Sequence, residues 1–466
     1  MKVDNHEFHK AFLQSERLHI LMVTNHGMHH WDFMPGLPDT GGQNVFVNQL
    51  TEVLAEMGYK ITIINRGGYE HPITGEKRHG LYYKDENQRI LYIEDSVQKF
   101  VRKEDMDDRL PELCDFLYKH ITEENIQLDL IISHYWDSAK LCIMLNDKLT
   151  TPVKHVWVPH SLGAVKKRNM PPETWEKLRI EERIENEKAF TGKLDNVAAT
   201  SALIRDSLKQ DYGFRHCLFL PPCVNPDRFF YREIDPDHDV YNFLEQMTEL
   251  SKEELWQCKI ISEISRTDKT KRKDVLIKAF AEVHKKHPKS VLVVAIDDNE
   301  EELAKELRGL IDDLGIKSHV AAIGNEWERL PYLYSITSVY CSPSVMEGFG
   351  MAVQEAAATR VPVVGSNKIP FVSEYLIGED IEVIRSDDGQ FKPLKLGEGG
   401  IVVEADDTKG FAAALNIYFS DETLRSKSGE CAYHITVAQF TWKDMTTRFL
   451  EGTQIPIPNH GESFAE

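Results

Sequence analysis

Short apolar segments alternate with longer amphipathic segments along almost the entire chain. In the first half, segments rich in Val, Ile and Leu predict buried strands, and the runs between them repeat apolar residues at helical spacing. The predicted strands are residues 18–24, 60–65, 89–93, 128–133, 153–158 and 197–200, and the predicted helices are residues 44–57, 106–123, 136–149 and 172–191. Strands that alternate with helices in this way indicate an α/β protein with a doubly wound parallel sheet.

The second half of the chain repeats this alternation and predicts a second doubly wound domain. Its predicted strands are residues 258–264, 291–296, 319–323, 339–342 and 361–364, and its predicted helices are residues 272–286, 300–314, 328–336, 408–419 and 422–434.

A proline-rich, then polar and acidic stretch at 221–256 separates the two halves. The sequence therefore predicts two main domains with a linker between them and two further segments at the end of the chain. The predicted boundaries are 1–225 for the N-terminal domain, 226–256 for the linker, 257–435 for the C-terminal domain, 436–452 for a helix that packs back towards the N-terminal domain, and 453–466 for the tail.

Charge and composition exclude several classes of partner. The formal net charge of −20 argues against nucleic acid or an anionic membrane as the main partner, so an anionic substrate would need local basic groups. No apolar run approaches the ~20 residues of a membrane span, and the N-terminal segment lacks the apolar core of a secretory signal. Seven cysteines without CxxC pairs are typical of reduced core thiols, so we expect a cytoplasmic protein. The oligomeric state is not readable, and a homo-oligomer stays open.

Two glutamates stand eight positions apart in the segment 342–364. Glu347 comes before the Gly348-Phe349-Gly350 turn, and Glu355 lies in the helix-forming run after it, between two predicted strands. Ligands of open α/β sheets bind at the carboxyl ends of strands, where glycines let backbone N–H groups approach closely. If the segment were wholly helical, eight residues would rise ~12 Å, about the length of a sugar diphosphate with its ribose. The alternative is a surface helix with two solvated glutamates.

Other polar side chains follow predicted strands, and each has a structural alternative. His160 could be a buried core histidine, and Lys103 and Lys166 could lie on solvated faces. Arg266 and Lys271, in the loop after the first strand of the second half, are suited to a diphosphate or to a basic surface turn. The first half lacks the GxGxxG fingerprint, which disfavours a nicotinamide dehydrogenase.

Taken together and in order, these motifs resemble those of the retaining GT-B glycosyltransferases, and within them those of sucrose-phosphate synthase and mannosylfructose-phosphate synthase. The segments that carry the resemblance are PDTGGQNVFV (38–47), FVRKE (100–104), SHYWDSA (133–139), VPHSLGAVKKRNM (158–170), PPCVNPDRFF (221–230), the Arg266 and Lys271 pair, and EGFGMAVQE (347–355). The resemblance implies the GT-B fold, in which two Rossmann-like domains face an interdomain cleft.

The resemblance also implies a role for each motif residue. It assigns the donor diphosphate to Arg266 and Lys271, the ribose to Glu355, and the reacting centre to His160. The wider donor site would comprise Gly42, Glu347, Gly348, Phe349, Gly350 and Met351, and the acceptor site Gly41, Gln43, Lys103 and Lys166. The implied catalytic set is His160, Arg266, Lys271 and Glu347.

By resemblance, the reaction moves a hexose from a nucleotide sugar, UDP-glucose or a GDP-hexose, to a sugar phosphate such as fructose 6-phosphate. Retention would arise from attack on the face that the leaving phosphate vacates, with that phosphate taking the acceptor's proton. No cofactor or metal is expected, since no DxD motif stands at a strand end. The alternatives are a sucrose synthase-like enzyme that uses a free sugar and a non-catalytic sensor of sugar nucleotides. A GT-B phosphorylase fits less well, because no lysine context for pyridoxal phosphate is evident.

Overall fold

The computed structural model describes residues 5–32, 39–71, 75–194, 196–298, 301–324 and 326–458. Pro38 of the first motif and residues 459–466 of the predicted tail lie outside the described residues. The chain divides into two compact units. The first unit comprises the chain up to Pro221 together with the segment from Trp442 onward, and the second comprises Pro222–Thr441.

The first unit contains a sheet of eight strands in the part of the chain that the structure describes. In order across the sheet they are β3-β4-β2-β1-β5-β6-β7-β8, and all neighbouring pairs are parallel except β3 and β4. The strands are β1 (His19–Val23), β2 (Lys60–Arg66), β3 (Gly80–Tyr83), β4 (Gln88–Ile93), β5 (Leu130–His134), β6 (His155–Val158), β7 (Asn196–Ala199) and β8 (Leu218–Phe219).

Helices connect these strands and cover the sheet. They are α1 (Asn5–Gln14), α2 (Gly42–Glu56), α3 (Leu110–Glu123), α4 (Tyr135–Lys148), α5 (Gly163–Asn169), α6 (Ile180–Ala189) and α7 (Ala202–Tyr212). Strands β1, β4, β5 and β6 are buried along their whole lengths, as in parallel sheets with both faces covered, which explains their near-continuous apolar sequences. The strand order reverses between β1 and β5, where ligands of such sheets bind.

The second unit has its own sheet, with eight strands in the described residues in the order β11-β10-β9-β12-β13-β16-β15-β14. They are β9 (Lys259–Glu263), β10 (Ser290–Ala295), β11 (Val320–Ile323), β12 (Val339–Ser342), β13 (Val363–Ser366), β14 (Glu382–Ile384), β15 (Leu394–Leu396) and β16 (Gly400–Val403). The helices that follow in the chain are α8 (Asp239–Glu245), α9 (Lys252–Gln257), α10 (Lys273–Lys286), α11 (Glu301–Asp313), α12 (Leu330–Ser335), α13 (Met351–Ala357), α14 (Thr408–Ser420), α15 (Glu422–Gln439) and α16 (Trp442–Thr453). The last of these, α16, belongs to the first unit and packs on α2 and β8.

The segment predicted as a linker, 226–256, differs from that expectation. Its helices α8 and α9 place Val240, Leu244 and Leu255 in one apolar cluster with Ile260 of β9 and Val291 of β10. The polar residues of this segment lie on the outer faces of short helices, so its average composition concealed the buried positions.

The predicted helix 172–191 is interrupted. A 3-10 turn spans Pro172–Thr174, and α6 begins only after Arg179, which has a left-handed backbone with φ of 46°. The antiparallel strands β3, β14 and β15 are further differences, because their short and partly exposed sequences carry a weak apolar pattern.

Candidate functional site

In the second unit, backbone hydrogen bonds join the loop before Glu347 to the turn that carries Lys271. The N–H of Val345 donates to the carbonyl oxygen of Thr270 at 2.8 Å, and the Ser344 hydroxyl donates to the same oxygen at 3.2 Å. Lys271 consequently forms an ion pair with Glu347, and both side chains are largely buried. The structure therefore brings together two residues that stand 76 positions apart in the chain.

Glu347 lies in the loop before α13, whereas Glu355 lies within that helix, so the segment between them is not wholly helical. Gly350, just before the helix, has φ of 115°, and a Cβ at this position would lie 2.6 Å from the Ile369 side chain. Only glycine adopts this conformation without strain. Because of this sharp turn, Glu347 lies in the loop and Glu355 lies in the helix.

Phe349 is buried and packs against other aromatic rings of the second unit. Its centroid lies 5.4 Å from Phe371 and 5.6 Å from Phe440, and its carbonyl oxygen accepts a bond from the Phe371 N–H at 2.9 Å. The Phe349 side chain thus anchors the turn, which leaves only its backbone for the predicted donor role. Gly348 precedes it in the loop, and Met351 begins α13.

Glu355 is partly buried and is the most strongly perturbed carboxyl group of this region. Burial raises its pKa to about 8, against the opposing effect of Arg228 and of a bond from Tyr334. Arg228 is held in turn by Trp327, with its guanidinium 4.1 Å from the indole centroid and bonded to the carbonyl oxygen at 2.5 Å. Arg228 and Trp327 were not predicted as site residues, although Arg228 lies in the PPCVNPDRFF motif.

Arg266 and Lys271 both lie in the connection between β9 and α10. The Arg266 side chain is exposed. The Asp268 carboxylate caps the turn through the Thr270 N–H at 2.8 Å; against the effect of burial, the hydrogen bonds from Thr270 hold the pKa of Asp268 below its usual value, and the nearby charges of Arg266 and Lys271 add to this effect. Glu347 and Glu355 each add to the effect of burial in raising the pKa of Tyr340 on β12. Four of the predicted donor residues, the two cations and the two glutamates, therefore collect around the carboxyl ends of β9 and β12.

Asp297 and Asp298, which follow β10, are engaged by protein groups. Asp297 and Thr267 exchange two hydrogen bonds of 2.9 and 3.1 Å, and Asp298 pairs with Arg308 at 2.6 Å. No group of three or more His, Cys, Asp or Glu side chains within the described ranges has the arrangement of a metal site.

In the first unit, His160 lies at the carboxyl end of β6 with a left-handed φ of 55°. Its Nε2 lies 2.9 Å from Nδ1 of His134, and its ring packs edge-on against Phe46 at 4.9 Å. Burial lowers the pKa of His160 to about 3, so the imidazole is neutral at pH 7. A neutral ring can exchange hydrogen bonds with a hydroxyl group but carries no charge.

The predicted Gly41-Gly42-Gln43 segment forms the start of α2. Gly41 donates its N–H to the Asn44 side chain at 2.9 Å, and Gly42 is the first helical residue. Gln43 donates from Nε2 to the Thr24 hydroxyl at 3.0 Å, which places it at the carboxyl end of β1.

Lys103 and Lys166, which were predicted together, line one small, partly open cavity of the first unit. We call this cavity the basic pocket, because two arginines also line it; its lining residues used below are Lys103, Tyr135, Lys166, Arg179 and Arg183. Three of them, Tyr135, Arg179 and Arg183, were not predicted from the sequence.

Each cation of the basic pocket has a different set of partners. Lys103 pairs with Asp39. Burial lowers the pKa of Lys103, but Asp39, Tyr135 and Glu104 outweigh burial and hold this pKa above its usual value. Arg179 forms an ion pair with Glu182 at 2.6 Å. Arg183 is buried, pairs with Glu187 at 2.7 Å and donates to the Tyr135 hydroxyl and to Ser161, the residue after His160.

Lys166, on α5, lies with its Nζ 3.3 Å from the hydroxyl oxygen of Tyr135 and has no carboxylate partner among the described residues. Tyr135 itself has a left-handed φ of 73° at the start of α4. Its ring contacts His26 at 4.6 Å, and His26 pairs through Nδ1 with the buried Asp137 at 3.0 Å. His26 and Asp137 thus extend the polar cluster behind the basic pocket, and neither was predicted.

No helix within the described ranges is long and apolar enough to cross a membrane.

Two family models match the chain, one in each half. The Glycosyltransferase Family 4 model matches residues 40–228, and the Glycosyl transferases group 1 model matches residues 248–435. The matches cover every residue of the predicted site, and of the segments that carry the resemblance they leave out only Pro38, Asp39, Phe229 and Phe230.

Similar proteins are found both by sequence and by structure. Mannosylfructose-phosphate synthase of Agrobacterium fabrum is 26% identical over 457 residues, which cover 94% of this chain and 92% of the relative. D-inositol 3-phosphate glycosyltransferase of Corynebacterium jeikeium is 28% identical over 425 residues, which cover 88% of this chain and 90% of the relative. The structure of sucrose-phosphate synthase from Thermosynechococcus elongatus superimposes with a TM-score of 0.75 at 21% identity, over 94% of this chain and 98% of the other. The predicted fold class is confirmed: the chain has the GT-B fold, each of its halves matches a glycosyltransferase family model, and it resembles mannosylfructose-phosphate synthase and sucrose-phosphate synthase.

Proposed function

We propose that this glycosyltransferase moves a hexosyl group, with retention at the anomeric carbon, from a nucleotide sugar to a phosphorylated sugar or polyol. The observation that carries the proposal is the basic pocket, where Lys166 has no carboxylate partner within the described residues and lies beside the Tyr135 hydroxyl. A cation that no carboxylate neutralises, next to a hydroxyl donor, suits a phosphate group. A free sugar would leave that charge without a counter-ion.

The donor would bind the second unit through the cluster at the ends of β9 and β12. Arg266 and Lys271 would bind the diphosphate, Glu355 the ribose hydroxyls, and Glu347 with the backbone of Gly348–Gly350 the hexose. Lys271 pairs with Glu347. A bound diphosphate would give Lys271 a second anionic partner and would leave Glu347 free to accept from sugar hydroxyls.

The chemical step follows the charge that develops at the diphosphate. The bond between the anomeric carbon and the phosphate oxygen breaks, and the acceptor oxygen bonds to that carbon on the same face. The acceptor proton passes to the departing phosphate oxygen, so no carboxylate nucleophile is needed. Arg266 and Lys271 would stabilise the negative charge of the leaving group.

In the first unit, His160 would hold a hydroxyl of the transferred hexose with its neutral imidazole, and Gly42 would face the donor phosphate. Gly41, Gln43, Lys103 and Lys166 would bind the acceptor. We propose that no metal or other cofactor takes part, so excess EDTA should leave the turnover rate unchanged.

The deciding experiment crosses donors with acceptors. UDP-, GDP- and ADP-hexoses are each incubated with fructose 6-phosphate, D-inositol 3-phosphate and glycerol phosphate, and with their unphosphorylated forms. We expect turnover with at least one phosphorylated acceptor and a much higher kcat/KM than with its unphosphorylated form. Equal use of fructose and fructose 6-phosphate would instead support a sucrose synthase-like enzyme, and binding without turnover would support a sensor.

An inositol phosphate acceptor is the second candidate within this class. It is favoured by the 28% identity to a D-inositol 3-phosphate glycosyltransferase. The basic pocket recognises the phosphate in either case, so the same matrix separates the two by the carbon skeleton of the acceptor.

A further inference from the structure

A buried ion pair lies beneath the loop that carries Arg266. Lys273, at the start of α10, and Glu263, at the end of β9, are almost completely buried, with Nζ 2.7 Å from Oε2. The same Nζ donates to the carbonyl oxygens of Ser265 at 2.8 Å and of Ala295 at 2.7 Å. One ammonium group therefore joins β9, the loop after β9, and the end of β10.

The packing of a buried strand does not in general require such an ion pair. Removing two charges from water has a large desolvation cost, and replacing a buried pair by apolar residues of similar volume is often neutral or stabilising. What an apolar pair could not provide is a bond to the Ser265 carbonyl. Ser265 also donates its hydroxyl to Glu263, so both members of the pair hold the same residue.

Ser265 immediately precedes Arg266, whose own side chain is exposed and donates no hydrogen bond within the described part of the chain. On the other side of Arg266, the Thr267 N–H donates to Asp297 at 3.1 Å. The backbone is thus fixed on both sides of Arg266 while the guanidinium is unrestrained. The position of its Cα therefore depends on Lys273 and Asp297.

We propose that Lys273, held by Glu263, is a positioning residue for the nucleotide diphosphate: by fixing the Ser265 carbonyl, it presets the backbone from which Arg266 reaches the ligand. This inference rests on the proposed function of Arg266 and extends it to two buried residues that do not touch the substrate. Lys273 lies two positions after Lys271, so the same contact also limits movement of the turn that carries the second cation.

The test separates stability from ligand binding. The double variant Glu263→Met/Lys273→Met removes both charges, and we expect its free energy of unfolding to equal or exceed that of the wild type. Its Kd for UDP or GDP, whichever the wild type binds, should rise about tenfold, the effect of a weakened charge-assisted bond. The control Lys278→Met removes an exposed lysine from the same helix, and its Kd should equal that of the wild type.

A double-mutant cycle with Arg266→Ala distinguishes positioning from a general effect on the fold. In the wild-type background, Arg266→Ala should raise the Kd about tenfold, whereas in the double variant it should raise the Kd less than about twofold, because Arg266 is already misplaced. Additive costs, or wild-type affinity in the double variant, would overturn the positioning role. If Glu263→Met/Lys273→Met does not fold, Glu263→Gln/Lys273→Met retains an acceptor for the Ser265 hydroxyl and undergoes the same cycle.

Failure of the proposed function gives a different result. If the wild type binds none of UDP, GDP, ADP or their hexose derivatives, the assignment of the donor site is contradicted, and the positioning role is contradicted with it. If the wild type binds one of them and the changes in binding free energy are additive in the cycle, only the positioning role is contradicted.

Discussion

Lys166 differs from the other cations of the basic pocket in what it contacts. Lys103, Arg179 and Arg183 each pair with a carboxylate, whereas Lys166 contacts the Tyr135 hydroxyl at 3.3 Å and no carboxylate of the described residues. Charge that is already paired inside the protein contributes less to an incoming anion than charge that is unpaired. Lys166 is therefore the residue on which recognition of a phosphate should depend most.

We predict that Lys166→Met raises the KM of the phosphorylated acceptor by about tenfold or more, since a hydrogen bond to a charged group contributes ~1.5–3 kcal/mol. The KM of the nucleotide sugar should change little. Lys167→Met is the matched control, because Lys167 pairs with Glu181 at 2.5 Å and does not line the basic pocket. Initial rates at varied acceptor and donor concentrations measure both constants, and equal effects of the two substitutions would contradict the assignment.

Glu355 gives a prediction for stability as a function of pH. Its folded pKa of about 8 lies above the ordinary value of 4.5, so between these values the folded state binds a proton that the unfolded state does not. Stability from this group is fully present below pH 4.5 and is lost as the pH rises through 8. The free energy of unfolding of the wild type should therefore fall relative to that of Glu355→Gln between these limits.

Urea unfolding at several pH values from 5 to about 9 measures the difference between wild type and Glu355→Gln. Subtracting the two curves cancels the titration of all other groups. A difference that is flat across this range, or that rises with pH, would show that the folded carboxyl group is not stabilised in its protonated form.

The proximity of two residues was predictable from the sequence where both lie in recognisable motifs. Lys271 and Glu347 were predicted as neighbours of one ligand, and they form an ion pair. Arg183 was not predicted, because its sequence neighbours Glu182 and Glu187 gave the pattern of a solvated helix face. Its contacts with Tyr135 and Ser161 join three elements that are distant in the chain, and no local pattern records them.

At the scale of elements, α13 is positioned by the turn before it. The turn buries Phe349 among aromatic rings and passes through Gly350 at φ 115°, after which the helix carries Glu355. The loop on the other side presents Glu347 to Lys271. The backbone conformation at one glycine therefore decides whether both glutamates keep their positions.

Gly350→Ala should lower the free energy of unfolding by roughly 1–3 kcal/mol, because the new Cβ meets Ile369 and the residue is held at positive φ. Donor affinity should fall with it, since the turn must shift. Gly309→Ala is the control: Gly309 lies inside α11, and beyond its chain neighbours and the nearby backbone of that helix no atom lies within 4 Å of the new methyl group, so alanine should stabilise by up to about 1 kcal/mol. Urea unfolding of both variants measures the contrast, and similar changes in the two would contradict the role of Gly350.

The order of strands and helices was predictable from the sequence, but the ends and breaks of the elements were less so. The long buried strands of both sheets were found because their apolar runs are nearly continuous. The break at Arg179 was missed, because a left-handed arginine leaves no trace in apolar periodicity. That break lies at the basic pocket, since Arg179 and the first turn of α6 line it.

At the scale of the whole molecule, the chain crosses from the first unit to the second and then returns. The chain leaves the first unit after Pro221 and re-enters it at Trp442, so α16 completes a unit from which it is separated by the whole of the second unit. Trp442 is buried, donates from Nε1 to Gln49 at 3.1 Å and packs 5.1 Å from Phe46. Phe46 in turn packs against His160, which links the end of the chain to the proposed reacting centre.

We predict that Trp442→Ala destabilises the first unit by about 3–5 kcal/mol, the usual cost of truncating a buried tryptophan. The second unit does not contain α16, so the Kd of the nucleotide measured by calorimetry should be unchanged. Turnover should fall, because the cavity next to Phe46 removes part of the support for His160.

Trp256→Ala is the matched control, since Trp256 is 48% exposed on α9 of the second unit and its loss should cost less than about 1 kcal/mol. Urea unfolding measures how much free energy of unfolding each variant loses. The Kd of the nucleotide shows whether the defect of Trp442→Ala is confined to the first unit. If Trp442→Ala abolished nucleotide binding under conditions where the protein remains folded, the donor site would depend on α16. The division of labour between the two units would then be wrong, and with it the assignment of the main nucleotide contacts, Arg266, Lys271 and Glu355, to the second unit.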